Sequence, residues 1–130
     1  MLSQDCIREL KANWLPNMSD SGLDRLIELL EQGSPLLVRG CFTRALPMGC
    51  LATHIAWHHP KTDHLSIDAG ITWLHQVAGL NPATSRVIDE WDRAPAWDVE
   101  TRMELLRHFK EERAARRKKR RVRAMKVGAK

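Results

Sequence analysis

The chain predicts a mainly α protein: a small helical bundle of about five or six helices with a basic C-terminal extension, helical or disordered. Three observations carry this. Apolar residues recur at helical spacing in successive windows, as in Leu23, Leu26, Ile27 and Leu30 at i, i+3, i+4 and i+7. Helix stops punctuate those windows at Pro16, Gly33, Pro60 and Gly79. Only one short stretch, LLVRGCFTRALP, is rich enough in β-branched and turn residues to compete as a strand. With 130 residues, one core is affordable, and the division expected is a globular domain over 1–110 followed by an extension over 111–130.

The elements follow in order. Residues 3–15 form a first helix, capped by Ser3, with Ile7, Leu10 and Trp14 on one face and Pro16 as its stop. Residues 21–32 form the clearest helix, with Ser21 and Asp24 resembling a capping box and Gly33 and Pro35 closing it. The stretch 36–47 is open between a short strand and a helical turn with a loop. Residues 48–58 predict another helix, ended by Pro60. Ser66 or Asp68 opens the next, with Ile71, Leu74, Val77 and Ala78 as its stripe and Gly79 as its stop. Asn81 is expected to cap a following helix with Pro82 at its first position, where the missing N–H costs nothing, and with Val87, Ile88 and Trp91 inward. Asp98 then caps a last helix bearing Val99, Met103, Leu106 and Phe109 on one side.

The charge is divided unevenly. Residues 1–100 carry 8 Lys/Arg against 13 Asp/Glu, a net of −5, whereas residues 101–130 carry 13 against 3, a net of +10. An acidic body with a basic tail points to a polyanion for the tail, and to a protein partner for the acidic body. The three cysteines, Cys6, Cys41 and Cys50, are odd in number and widely spaced, which predicts a reducing, cytoplasmic setting and no disulfide framework. The opening segment has no apolar core of signal-peptide length, and no window of about 18 apolar residues occurs, so no membrane span is expected.

Four of the six histidines fall between positions 54 and 64, beside Cys50. On a helix, residues 50, 54 and 58 form one stripe, so Cys50–His54 or His54–His58 could share a metal at i, i+4 spacing. All three cannot hold one ion, because 50 and 58 lie about 12 Å apart at ~1.5 Å per residue. A tetrahedral zinc needs further ligands, and the candidate set is Cys41, Cys50, His54 and His58, with zinc as the candidate cofactor. The alternative is a buried cysteine and a histidine-lined helix edge with no cofactor. No GxSxG, HExxH or phosphate-cradling glycine loop is present, and a non-enzymatic protein is expected.

Residues 71–92, ITWLHQVAGLNPATSRVIDEWD, resemble the helix-turn-helix of Lac-repressor-type DNA-binding domains. The match lies in Ala78, Gly79, Leu80 and Asn81 at the turn, then Ala83, Thr84, Ser85, Arg86 and Val87. The chain departs from that pattern at His75, where the family places a small residue, and at Ser85, where it places an aliphatic one. The resemblance implies a DNA-reading helix in which Asn81, Thr84, Ser85 and Arg86 contact DNA.

The densest functional signal is the tail, RAARRKKRRVRAMKVGAK. Arg113, Arg116, Arg117, Lys118, Lys119, Arg120, Arg121, Arg123 and Lys126 occur with no acidic residue among them. Such like-charge density is relieved by a bound polyanion, and each phosphate contact releases counterions. Its arginine-rich composition favours RNA over DNA, because arginine-rich segments order on RNA. The leading expectation is therefore a nucleic-acid-binding protein, RNA-binding or ribonucleoprotein-associated, including a ribosome-associated accessory role. The alternatives are a helix-turn-helix DNA-binding regulator and a zinc-stabilised protein-interaction adaptor.

Overall fold

The computed structural model describes residues 1–64, 66–95 and 97–128, with side chains of the last helix through Lys126; Val127, Ala129 and Lys130 of the predicted extension lie outside the described side chains. The fold is mainly α, with six α-helices and one minimal hairpin among the described residues. No described helix is long and apolar enough to cross a membrane.

The first helix, α1 (Gln4–Glu9), is capped by Ser3, whose hydroxyl accepts from Cys6 N at 3.1 Å. It does not run unbroken to residue 15. It widens into a π-helical turn over Leu10–Trp14 and tightens into a 3-10 turn over Leu15–Asn17, which takes in Pro16. This keeps Leu10 and Trp14 fully buried while turning the chain into the next helix. Helix α2 (Asp20–Gln32) begins one residue earlier than the spacing predicts, because Ser19 rather than Ser21 accepts from Gly22 N, at 3.0 Å. Gly33 ends it in the left-handed region at φ 58°, where a Cβ would be strained.

The ambiguous stretch resolves as a small sheet. Strand β1 (Thr43–Ala45) pairs antiparallel with β2 (Met48–Gly49), and Leu37 bridges Gly49 in parallel from the other side. Helix α3 (Leu51–Trp57) follows with Cys50 at its N-cap position, so the predicted helix over 48–58 starts three residues late. The backbone groups of 48 and 49 are already committed to the sheet.

Helix α4 (Ala69–Thr72) continues as a π-helical turn over Trp73–Val77. Helix α5 (Arg86–Arg93) buries Val87, Ile88 and Trp91 as its pattern requires. Helix α6 (Val99–Gly128) is one continuous element of 30 residues, about 45 Å long at ~1.5 Å per residue. Asp98 opens it as expected, accepting from Thr101 N at 3.2 Å and Thr101 Oγ1 at 2.9 Å. Its inward face is the predicted one only at Leu106 and Phe109. Leu105, Leu106 and Phe109 are buried, but Val99 is 55% and Met103 47% exposed.

The core is one cluster spanning α1 to α6, centred on Trp14, Trp73, Trp91 and Phe109. Trp14 and Trp73 meet edge to face with ring centroids 5.3 Å apart. Helices α3 and α4 approach closely through Gly70. A Cβ there would lie 2.9 Å from Thr53 N and 3.0 Å from Thr53 Cα. Because that neighbour is helix backbone and cannot swing away, Gly70→Ala should destabilise the fold by about 2–3 kcal/mol. The expected result is a melting temperature lower by roughly 10 °C, read by thermal unfolding.

Candidate nucleic-acid interface

Helix α6 lies antiparallel along α2. As residue numbers climb on α6 they fall on α2: Lys110 reaches Glu31 (3.5 Å), Arg113 reaches Asp24 (3.5 Å), and Arg116 and Arg120 share Asp20 (3.0 and 2.7 Å). Arg116 is the anchor. Its guanidinium also meets Glu112 at 2.6 Å and donates to the Leu15 carbonyl at 2.6 Å, and its side chain is only 19% exposed. The hydrogen bond from Arg116 holds the Asp20 carboxyl below its usual range, despite slight desolvation in the other direction.

This divides the nine predicted phosphate-binding residues. Arg113, Arg116 and Arg120 are engaged with carboxylates of the body, so the expected boundary at 110/111 falls inside a packed helix. The other six, Arg117, Lys118, Lys119, Arg121, Arg123 and Lys126, are all exposed, and no ion pair involving them occurs among the described residues. At ~100° per residue they cover roughly two thirds of the helix circumference and leave clear the face that carries 113, 116 and 120. Spacing could have separated the two sets: 113, 116 and 120 share one helix face, and Asp20 and Asp24 share one face of α2.

The region resembling a helix-turn-helix is arranged differently from its expected form. Asn81 does not cap a helix, and Pro82 does not begin one. Asn81 Oδ1 accepts from Ala83 N at 2.9 Å and its carbonyl accepts from Thr84 N at 3.0 Å, so Asn81–Thr84 closes on itself as a turn. The cap is Ser85, whose Oγ accepts from Ile88 N at 3.3 Å. Ser85 is 3% exposed, so it faces the interior rather than a groove. Asn81, Thr84 and Arg86 are exposed.

The N-terminus of α5 already has an anion. Glu9 of α1 accepts from Ser85 Oγ (2.7 Å), Arg86 N (2.8 Å) and Val87 N (3.1 Å), and from Trp14 Nε1 (3.0 Å). The relation is reciprocal: Glu90 of α5 accepts from the backbone N–H of Ser3 (2.8 Å) and from its hydroxyl, at the start of α1. Each helix thus supplies the carboxylate that neutralises the other's positive end. The end that would enter a DNA groove is covered by α1 and holds a negative charge. Neither carboxylate was identifiable by motif, since each lies more than seventy residues from the helix start it meets.

The histidine-rich stretch is also dispersed. His54 is buried, and its Nε2 lies 2.8 Å from the Leu36 carbonyl. Cys50 is buried with its sulfur 3.6 Å from Thr53 Oγ1, and burial pushes its thiol up to about 11. Cys41 and Cys50 line one small cavity of about 90 Å³ together with Asp92. His58 sits at the α3 C-cap, where its carbonyl accepts from Ser19 and Ser21 hydroxyls. Among the described residues no three His, Cys, Asp or Glu side chains converge on a point that could hold a metal ion.

Burial lowers the pKa of both His54 and His108, the latter helped by Arg107, and the buried His108 Nε2 makes no hydrogen bond. A histidine whose folded pKa lies below its unfolded value near 6.5 stabilises the fold above that value and loses the contribution as pH falls. Stability should therefore be level above about pH 7 and decline below pH 6.5, by no more than roughly 1.4 kcal/mol per pH unit per histidine. Urea midpoints at pH 7.5 and 5.5 measure this, and His108→Leu should shrink the difference.

The chain is a small mainly α protein, and among the described residues its most basic stretch is the distal part of α6. No family model, curated protein or solved structure matches it.

Proposed function

We propose that the protein is a non-enzymatic nucleic-acid-binding protein whose arm, the distal part of α6, holds phosphates, with RNA preferred over DNA. A ribonucleoprotein setting, such as association with ribosomes, suits this reading. The observation that carries it is the set of six exposed cations at 117, 118, 119, 121, 123 and 126, distributed around one helix with no acidic side chain among them.

Charge over roughly two thirds of the circumference favours a groove with phosphates on both walls over a flat surface. A membrane-surface helix would instead need a broad apolar face, and among the described residues the arm exposes Val122 and Met125 as its large apolar side chains. The arm carries no Asn or Gln, the side chains that read adenine edges, and its Arg and Lys side chains suit phosphates. Sequence-specific DNA reading by Thr84 and Arg86 is disfavoured by the carboxylate of Glu9 at the start of α5.

The test is binding of the full chain to a labelled RNA hairpin and to a DNA duplex of equal length, across a salt series. RNA should bind more tightly, and log affinity should fall against log salt with a slope of about −4 to −5 if six phosphates are engaged. A salt-independent affinity would overturn the reading. Tighter, site-selective binding to DNA that is lost in Arg86→Ala would replace it with the DNA-regulator alternative.

A further inference from the structure

The six outward cations of the arm are not spread evenly over its surface. At ~100° per residue, Arg113, Arg116 and Arg120 occupy one sector about 60° wide, which Asp20 and Asp24 of α2 hold against the body. Arg117 and Arg121 then lie roughly 90° to one side of the direction facing away from the body, and Lys119, Arg123 and Lys126 average roughly 90° to the other. Lys118, Val122 and Met125 stand between these two rows, at the front of the helix. Val122 is 42% and Met125 73% exposed. A shallow hollow of about 420 Å³ lies over Ala115 and Val122, bordered by Lys118, Lys119, Arg123 and Lys126.

Two rows of cations match two phosphate strands, and the hollow matches an apolar group that carries its own negative charge. A single strand offers one row of phosphates, and its bases stack on aromatic platforms, whereas no aromatic residue occurs beyond Phe109. A fully paired RNA helix offers two strands, but its deep groove is narrow, and an α-helix with its side chains is about 10–12 Å across. The groove of B-DNA, at about 12 Å, is wide enough, but its bases stay paired and stacked, so none fills the hollow. A bulge in an RNA helix supplies both features. Its unpaired nucleotides let the strands part, and they leave a base unstacked beside its own phosphate. Such a base offers an apolar face to Ala115 and Val122, and its phosphate meets the four cations around them.

Resting on the reading that the arm binds RNA, we infer that its ligand is an RNA helix interrupted by a bulge. The arm enters the widened groove front first. Arg117 and Arg121 hold one strand, Lys119, Arg123 and Lys126 hold the other, and an unpaired base seats over Ala115 and Val122 beside Lys118. Arg113, Arg116 and Arg120 keep the back of the helix on the body, so the front is already ordered and aimed before RNA arrives.

The test uses the full chain and four labelled probes of matched length: an RNA hairpin with a short uridine bulge in its stem, the fully paired hairpin, a single-stranded RNA and a DNA duplex. Affinity is read by fluorescence anisotropy across a salt series. The bulged hairpin should bind about tenfold more tightly than each of the others, and with a steeper salt slope than the paired hairpin, because both rows are engaged. Ala115→Leu fills the hollow at an exposed position with a residue that favours helix. It should remove most of the preference for the bulge without altering the melting temperature, and Val122→Asn should do the same. Equal affinity for bulged and paired hairpins, tighter binding of the single strand, or a full preference retained in both variants would each overturn the inference and leave the arm's affinity for RNA standing. Tighter binding of the DNA duplex, or no salt-dependent binding of any RNA, would overturn the inference together with the reading it rests on.

Discussion

Replacing Arg117, Lys118, Lys119, Arg121, Arg123 and Lys126 together by Gln should abolish RNA binding at physiological salt while leaving the fold intact. About six phosphate contacts correspond to a change in affinity on the order of a thousandfold between 50 and 200 mM salt, and the variant should lose that dependence along with the affinity. The fold should survive because these side chains are exposed and none takes part in the ion pairs that hold α6 to α2. Replacing Arg113, Arg116 and Arg120 instead should show the reverse balance. Arg116 satisfies the Leu15 carbonyl, Asp20 and Glu112, so its loss should cost stability first. Affinity by fluorescence anisotropy and melting temperature by circular dichroism, measured on both variants, separate the two groups. If the sixfold variant bound RNA as tightly as the wild type, the arm would not be the binding element.

The second large effect is expected at Glu9. Its carboxylate accepts four hydrogen bonds, from Trp14 Nε1, Ser85 Oγ, Arg86 N and Val87 N, and so joins α1, the core tryptophan and α5. Glu9→Ala leaves the Trp14 indole N–H and the first turn of α5 without acceptors and removes the charge that meets the helix dipole. A loss of about 3 kcal/mol is expected, with a melting temperature lower by roughly 10 °C. Glu9→Gln keeps one oxygen acceptor and should lose about half as much. The loss in Glu9→Ala should be non-additive with Ser85→Ala, since both remove the same bond; a double-mutant cycle measures this. Full additivity would mean that the two residues act separately.

The sequence by itself determined the class of fold, most helix stops and the location of the charge. Helical periodicity, Gly33, Gly79, the caps at Ser3 and Asp98, and the inward set Val87, Ile88 and Trp91 all follow from local rules, because each depends on residues within one or two turns. What only the tertiary structure decided involves partners distant in sequence. The cap of α5 is Ser85 rather than Asn81 because Glu9 reaches it from α1, while Asn-Pro closes its own turn. The inward face of α6 is Leu105, Leu106 and Phe109 rather than one that includes Val99 and Met103, because α2 sets how α6 lies. The histidine stripe is dispersed because the sheet takes residues 48 and 49 and the Leu36 carbonyl takes His54. The tail, uniform by composition, is divided by Asp20 and Asp24 into cations that hold the fold and cations that face outward. Composition counts charges, but an ion pair forms only where packing brings a carboxylate within about 4 Å, and that distance is set by how helices stack.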